Sequence, residues 1–282
     1  MEKHFCLDDS PTFRMTELNE VDSTNNFLRH FGAPHDRRMT LVTAEYQTAG
    51  RGTSHNSWES ERGKNLTFSL RVMPESLPAR RMFAVSEAAS LAVADALEAF
   101  LPTPQPAVAD TLDAFPPTPQ PAAAAPADAG SRFRIKWPND VYYGNGKIAG
   151  ILIENDLQGA QVIRSTIGIG INVNQRKFLS DAPNPCSLAN ITGTDTERRF
   201  VLEHFMLHIT RRMQQISEGR LDELHQDYLA RLYRKDQEHH YSDAQGTFRA
   251  VLTGVEPGGH LILRDEEGNL RRYAFKEVKH IL

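Results

Sequence analysis

The segment from Gln161 to Asn174 carries one of the two strong patterns that constrain how the chain folds. Branched apolar residues alternate there with small or polar ones, which predicts a strand with one face in the core. The apolar set is Ile167, Ile169, Ile171 and Val173, and the other set is Thr166, Gly168, Gly170, Asn172 and Asn174. The glycine face suits a ligand that lies close to the backbone. It also suits a neighbouring element that crosses the strand.

A second segment, Lys136-Trp137-Pro138-Asn139-Asp140, is expected to form a turn at a strand end. A hydrophobic approach leads into it, and the proline stops regular structure. Beyond the turn, Lys147 to Ile153 predicts another strand, in which Gly150 lets a ligand approach the backbone. Strand ends are where mixed α/β folds usually bind ligands. The same pattern is also typical of a plain hairpin with a surface lysine.

A polar loop over residues 47–58 follows a strand predicted for residues 40–46. Two glycines frame Arg51 in this loop, and Trp58 ends it. An arginine offers a planar fork to a carboxylate or phosphate, and a tryptophan offers a face to a ring. The loop therefore predicts ligand binding, although its spacing matches neither a Walker phosphate loop nor a dinucleotide fingerprint.

A short helix is predicted after Asp22-Ser23-Thr24-Asn25-Asn26, with Phe27, Leu28 and Phe31 on its apolar face. Hydroxyl and amide side chains cluster beside the free N–H groups of its first turn, which is an arrangement that can bind a ligand. An ordinary capped helix needs only one such residue, so the cluster is also compatible with a simple cap.

Composition excludes several classes of protein. The net charge of −4, from 32 basic and 36 acidic residues without a long basic run, does not support binding to DNA. No apolar run could cross a bilayer and no signal peptide is evident, so we expect a soluble, cytoplasmic protein that makes no membrane contact. Cys6 and Cys186 match neither a disulfide framework nor a metal site. His204 and His208 are spaced like a metal pair but lack a third ligand, so no metal site is predicted.

A proline- and alanine-rich tract interrupts the chain at about residues 102–130. Residues 108–122 repeat residues 93–107 except at Thr111, Asp113 and Pro116, so a tandem duplication is the simplest explanation. Because the prolines oppose helix and sheet, we expect a disordered surface insertion that is dispensable for chemistry.

The C-terminal stretch predicts three short strands, over residues 247–255, 260–264 and 270–275, joined by turns. So few short strands beside a larger domain suit a small closed barrel. We therefore expect a larger domain over residues 1–236 and a small one over residues 237–282, with a linker at about residues 236–241.

Together these segments resemble the biotin protein ligase family. The likeness rests on five motifs in the same order: Asp22 to Asn25, Ala44 to Gly52 with Trp58, Lys136 to Asp140, Lys147 to Glu154, and Gly168 to Asn172. The resemblance implies an α+β fold, with a mixed-sheet catalytic domain of the biotin/lipoate ligase type followed by an SH3-like β-barrel. Some members carry an N-terminal DNA-binding domain. This chain has no room for one before Asp22, so the form without that domain is expected.

The resemblance also implies a reaction. Biotin would be activated with ATP to biotinyl-5'-AMP and then transferred to a lysine of a biotin carboxyl carrier protein or carrier domain. A carboxylate and a triphosphate repel each other, so positive charge must lie between them; Lys147 and Arg51 are the catalytic candidates. Magnesium (Mg2+) would share the triphosphate charge with few protein ligands. The protein is expected to be a monomer or weak homodimer.

The family's binding positions carry over motif by motif. Those expected to bind biotin are Ser23, Thr24, Asn25, Gln47, Gly50, Arg51, Gly52, Thr53, Lys147 and Gly150. Those expected on the nucleotide side are Trp58, Asn139 and Asn172. Two positions depart from the pattern, because many relatives have another arginine where Thr53 stands and often a glycine where His55 stands.

Two other functions stay open on the same scaffold. A lipoate protein ligase has a related fold and parallel chemistry, but the Arg51 loop and the Lys136 to Asp140 turn favour the biotin enzymes. A non-catalytic biotin-binding sensor is the other alternative. The presence of both Lys147 and Arg51 argues against it.

Deletion of residues 108–122 should leave activity and melting temperature close to those of the full chain, because the second copy has no place in the core. Enzyme assays and thermal unfolding of the two proteins would test this. A large drop in either quantity would show that the copy is integrated into the fold.

Overall fold

The structure, a computed structural model, describes residues 13–31, 37–52, 57–102, 131–180 and 184–281. The expectations for Cys6, for Thr53 and His55 and for the insertion from residue 103 to residue 130 concern residues outside these ranges.

The larger part of the described chain is built on a seven-stranded mixed sheet. Its strands are β1 (Phe13–Leu18), β2 (Met39–Ala44), β3 (Leu66–Val72), β4 (Phe133–Lys136), β5 (Asp140–Tyr143), β6 (Gly146–Gln158) and β7 (Gln161–Ile171). Their spatial order is β1-β2-β3-β7-β6-β5-β4. β1 and β2 are parallel, and the other neighbours are antiparallel. The two longest strands, β6 and β7, therefore lie at the middle of the sheet.

Helices cover both faces of this sheet. They are α1 (Thr24–His30), α2 (Ala84–Glu98), α3 (Leu188–Thr192), α4 (Arg198–Ser217) and α5 (Leu221–Ala230). Phe68 of β3 packs on Phe205 of α4, with ring centroids 5.0 Å apart. The next residue, Ser69, contacts α1 at Asn25, and successive strand residues point to opposite faces. α1 and α4 therefore lie on opposite sides. No helix in the described ranges has the length and apolar character needed to span a bilayer.

A second, antiparallel sheet follows over residues 238–280. It contains β8 (Glu238–Asp243), β9 (Gly246–Val255), β10 (Leu261–Asp265), β11 (Leu270–Tyr273) and β12 (Lys279–His280), in the spatial order β11-β10-β9-β8-β12. The three strands predicted from the turns are present as β9, β10 and β11. The mixed sheet and this small C-terminal sheet confirm the expected fold class, and the boundary between residues 236 and 237 stays a prediction.

The linker expected at residues 236–241 is wrong for most of its length. β8 begins at Glu238 and pairs with β9 from Glu238↔Val251 to Asp243↔Gly246. Polar residues dominate this strand, and Tyr241 is its one buried side chain. The segment is a strand because it pairs with β9, and the order of apolar and polar residues within the segment does not reveal that pairing.

Candidate functional site

The floor of the candidate site is the glycine face of β6 and β7. Antiparallel pairing places Gly150 directly opposite Gly170 and Leu152 directly opposite Gly168. Opposed residues of an antiparallel pair point to the same face. The residue between the two glycines of β7, Ile169, is 4% exposed and belongs to the core. The predicted alternation is confirmed, although the strand ends at Ile171 and not at Asn174.

The indole of Trp58 lies over this floor. A Cβ atom at Gly170 would lie 2.2 Å from Trp58 Cε2, and one at Gly150 would lie 3.0 Å from Trp58 Cζ3. With the indole in place, the cleft holds about 50 Å³. The element that crosses the glycine face is therefore a side chain of the protein, and the same glycines line the cleft, where ligand binding stays a prediction. Within the described residues, the buried Trp58 Nε1 has no hydrogen-bond partner.

A buried polar network surrounds the start of α1 beside the floor. Thr24 donates to Gln47 Oε1 from its backbone nitrogen at 2.7 Å and from its hydroxyl at 3.0 Å. Ser69 Oγ lies 2.7 Å from Thr24 Oγ1 and 2.5 Å from Asn25 Oδ1. Asn25 in turn crosses Gly168, where a Cβ atom would lie 2.4 Å from its Oδ1. These hydroxyl and amide groups are held in place by one another, and they offer both donors and acceptors to the cleft.

The two candidate cations line the same cleft, and each has a carboxylate partner. Lys147 Nζ lies 2.7 Å from Asp140 Oδ2. Arg51 Nη2 lies 3.4 Å from both carboxylate oxygens of Glu154, and Glu154 also accepts a 2.8 Å bond from Arg29. Each candidate cation is therefore balanced locally.

The register of β6 orders these groups along the floor. Lys147 lies just before the Gly150–Gly170 pair, and Glu154 lies two residues beyond the Leu152–Gly168 pair. Asn25 Nδ2 donates to Glu154 Oε2 at 3.1 Å. Arg51 is therefore held at the α1 end of the cleft, whereas Lys147 belongs to the other end.

Most of the predicted site residues lie in or beside the cleft, and two of the described ones do not. Ser23, Thr24, Asn25, Gln47, Arg51, Gly52, Trp58, Lys147 and Gly150 all line the cleft. Gly50 lies beside it, where its carbonyl accepts a 3.0 Å bond from the backbone nitrogen of Trp58.

The two asparagines expected on the nucleotide side do not line this cleft. Asn139 Nδ2 donates to the Ile151 carbonyl at 3.0 Å, and Asn172 Nδ2 donates to the Cys186 carbonyl at 3.0 Å. Both amides therefore hold backbone segments around the site. Asn172 Oδ1 is buried and has no partner in the part of the chain that the structure describes.

Three residues to which the sequence analysis gave no role take part in the site: Ser69, Asp140 and Glu154. Two of them carry a signal in the strand pattern. Glu154 lies four residues after Gly150 on β6 and so shares its face, and Ser69 lies directly opposite Gly168. Asp140 and Lys147 lie on β5 and β6, whose pairing shifts register between Val141 and Tyr142, and local sequence does not reveal that shift.

The rest of the described structure gives less support for a functional site. Over the described ranges, no group of three or more His, Cys, Asp or Glu side chains is arranged to hold a metal ion. A larger cavity of about 640 Å³ lies between α4 and strands β1 and β2. Its lining contains none of the residues predicted for the site.

Comparison with known proteins decides the family. The pattern of the biotin/lipoate A/B protein ligase family matches residues 18–172, which is more than half of the chain and includes the whole floor of the cleft. The chain belongs to this family. The resemblance drawn from the five motifs is thereby confirmed at the level of the family.

Individual relatives of this ligase family align along most of the chain. The bifunctional ligase/repressor BirA of Bacillus spizizenii is 26% identical over 262 residues, covering 91% of this chain and 70% of the relative. A biotin–[acetyl-CoA-carboxylase] ligase of Paracoccus denitrificans is 28% identical over 256 residues, covering 89% of this chain and 94% of the relative. The structure of the biotin protein ligase from Aquifex aeolicus in complex with biotin and ATP has a TM-score of 0.70 at 25% identity, covering 95% and 98% of the two chains.

Gly170→Ala should displace the Trp58 indole, because the new methyl group would overlap the ring. The measurement is tryptophan emission in a Trp137→Phe background, which leaves Trp58 as the one indole of the chain. We expect emission at longer wavelength as the ring becomes hydrated. Gly254→Ala is the matched control, since its methyl group would meet only Leu229 Cδ2 at 4.0 Å. Identical spectra for Gly170→Ala and its background would contradict the placement of Trp58.

Proposed function

We propose that the protein is an ATP-dependent biotin protein ligase. It would activate biotin as biotinyl-5'-AMP and transfer the biotinyl group to a specific lysine of a biotin carboxyl carrier protein or carrier domain. Membership of the ligase family supports this proposal, as do a relative named biotin–[acetyl-CoA-carboxylase] ligase and a relative bound to biotin and ATP.

The observation that carries the proposal is that one cleft joins a polar end, a glycine floor and two cations. Gly168 beside Asn25 and Gly170 beneath Trp58 are two residues apart on β7, which is roughly 7 Å along a strand. Lys147 lies past the second glycine position. The polar end, the glycine floor and Lys147, in that order, fit an acid with a polar ring head, a slender chain and a terminal carboxylate.

In this proposal, each part of biotin contacts its own set of residues. Its ureido head exchanges hydrogen bonds with Thr24, Asn25 and Gln47, whose network already contains both donors and acceptors. Its chain crosses Gly150 and Gly170, where side chains would block it. Trp58 has to leave the glycines for the chain to pass, and its indole then becomes available to the nucleotide.

In the first step, a carboxylate oxygen of biotin attacks the α-phosphorus of ATP. The bond from that phosphorus to the bridging oxygen breaks, and pyrophosphate leaves with its electron pair. Negative charge builds on the phosphoryl oxygens, and Lys147 stabilises it from a fixed position at the carboxylate end of the cleft.

Arg51 has to exchange partners to join this step. Its contact with Glu154 is 3.4 Å long, and the arginine side chain is 40% exposed. An ion pair of that kind contributes about 0–1 kcal/mol, so phosphoryl oxygens can replace the carboxylate at little cost. The glycines at positions 50 and 52 give the backbone the freedom that this movement needs.

In the second step, the amine of the carrier lysine attacks the acyl carbon of the adenylate. The acyl–oxygen bond breaks, AMP leaves, and the amine loses a proton to solvent. Asn139 and Asn172 stay our candidates for the nucleotide side, and the unpartnered Asn172 Oδ1 offers an acceptor there. Exclusion of water from the anhydride is assigned to the loop that carries Arg51 and Trp58.

Magnesium would enter the cleft as part of the nucleotide substrate. In the cleft, Asp140 is paired with Lys147, and Glu154 is paired with Arg29 and Arg51; among the described residues, no group of three or more potential ligands is arranged around a metal position. Magnesium usually keeps several waters and binds through substrate phosphates with one or two carboxylates. No step above depends on a protein-bound metal.

Exchange of labelled pyrophosphate into ATP tests the proposal. We expect exchange with biotin and none with lipoate, since exchange reports reversible formation of the adenylate. Exchange with lipoate alone would identify a lipoate ligase, and exchange with neither acid would identify a non-catalytic binding protein. Either result contradicts the proposed function.

Lys147→Ala should lower that exchange by about 100-fold or more, as is typical when a group that stabilises transition-state charge is lost. Circular dichroism should stay unchanged, because the Lys147 side chain lies in the cleft and not in the core. Lys64→Ala removes an exposed lysine outside the cleft and serves as the matched control. Retained exchange in Lys147→Ala would remove this lysine from the catalytic role.

A further inference from the structure

The turn that precedes Asp140 is held by elements that lie outside its own hairpin. Residues 137–139 connect β4 to β5. On one side, Trp137 Nε1 donates a 2.9 Å hydrogen bond to the carbonyl of Gly259, between β9 and β10 of the C-terminal sheet. On the other side, the hydroxyl of Tyr228 in α5 donates a 2.9 Å bond to the carbonyl of Pro138. Adjacent residues of one turn are therefore fixed by two distant parts of the chain.

The two holding elements also interlock with each other. Gly259 has φ +91°, and a Cβ atom there would lie 2.7 Å from Phe83 Cδ2. Phe83 at the start of α2 meets Tyr228 edge to face, with centroids 5.4 Å apart and planes at 89°. Only glycine fits this conformation and this close approach. The Gly259 turn, Phe83 and Tyr228 thus form one packed unit around the Trp137–Pro138 segment.

The two hydrogen bonds restrict the position of the turn because the side chains that donate them are buried. Trp137 is 6% exposed and Tyr228 is 0% exposed. A buried polar group that loses its partner pays a desolvation penalty, so the turn is held to the position in which both bonds are made. Asp140 follows Pro138 by two residues, and its carboxylate holds Lys147 Nζ at 2.7 Å. The turn therefore helps to place the carboxylate that holds the Lys147 ammonium group.

We propose that Trp137 and Tyr228 are positioning residues, through which the C-terminal sheet and α5 set the Asp140–Lys147 pair for catalysis. The inference rests on the proposed function, in which Lys147 stabilises the charge that develops at the α-phosphorus. It gives the C-terminal sheet a role in the first chemical step that requires no contact with either substrate. A small displacement of the turn moves the ammonium group relative to the reacting phosphorus, and displacements on the order of 1 Å can cost about 100-fold in rate.

Tyr228→Phe tests the inference, because it removes the hydroxyl and leaves the ring against Phe83. The matched control is Tyr273→Phe, which deletes the hydroxyl of another buried tyrosine, one that donates to Asp243 Oδ2 at 2.8 Å within the C-terminal sheet. Biotin-dependent pyrophosphate exchange and urea unfolding are measured for both. We expect kcat to fall roughly three- to tenfold in Tyr228→Phe only, with KM for biotin within about twofold of wild type, because loss of this one hydrogen bond would loosen the position of Lys147, which stabilises the transition state.

Two further variants separate positioning from a general loss of stability. Trp137→Phe removes the other bond to the turn and should lower kcat in the same way. Asp140→Asn weakens the connection to Lys147, so Tyr228→Phe should add little to its effect on kcat, whereas independent effects would multiply. A merely structural role would lower stability without this lack of additivity.

The inference is overturned if Tyr228→Phe and Tyr273→Phe have equal kcat while the wild-type protein exchanges with biotin, and the proposed function would then still stand. It is also overturned if the effects of Tyr228→Phe and Asp140→Asn on kcat multiply. A lower kcat in Tyr228→Phe and Trp137→Phe, with no further loss in the Asp140→Asn background, supports it.

Discussion

The pairing register of β6 and β7 is the constraint on which the rest of the structure depends. It sets Gly150 opposite Gly170 and Leu152 opposite Gly168, so the small residues of both strands fall on one face. A slip of one residue would turn the isoleucines of β7 into the cleft and its glycines into the core. Burial of Ile167, Ile169 and Ile171 in the core therefore also places the glycines of β7 on the floor of the cleft.

The charged side chains of the cleft are arranged in pairs of opposite charge. Lys147 is paired with Asp140, and Arg51 is paired with Glu154, so the protein carries two cations in a confined space without leaving either unbalanced. The two pairs differ in kind. Lys147 has a short contact to Asp140, which follows a turn fixed from two sides. Arg51, which lies between two glycines of its loop, has a longer and partly exposed contact to Glu154. In our account, one cation is positioned in advance and the other arrives with the substrates.

Much of this could be predicted from short segments because the signals are local. The alternation in β7 reports its two faces, and the motif residues Lys147, Arg51, Thr24 and Gln47 do line one cleft. What sequence did not reveal depends on contacts between distant residues. Arg51 and Glu154 are 103 residues apart, and the ring of Trp58 settles on glycines more than 90 positions away. Asn139 and Asn172 donate hydrogen bonds to backbone carbonyls. Residue type alone does not show which partner an asparagine side chain will bind.

The central claim is that Lys147 and Arg51, delivered by separate segments, act on one anionic centre. Its most direct test is a double-mutant cycle with Arg51→Gln and Lys147→Gln, in which calorimetry measures the binding of a biotinyl-adenylate analogue whose phosphate is replaced by sulfamate. Our account predicts that the two losses of binding free energy differ from additivity by more than about 0.5 kcal/mol, the range within which independent sites usually add. Losses that add within that range would show that the two cations do not share a target, and would contradict the account.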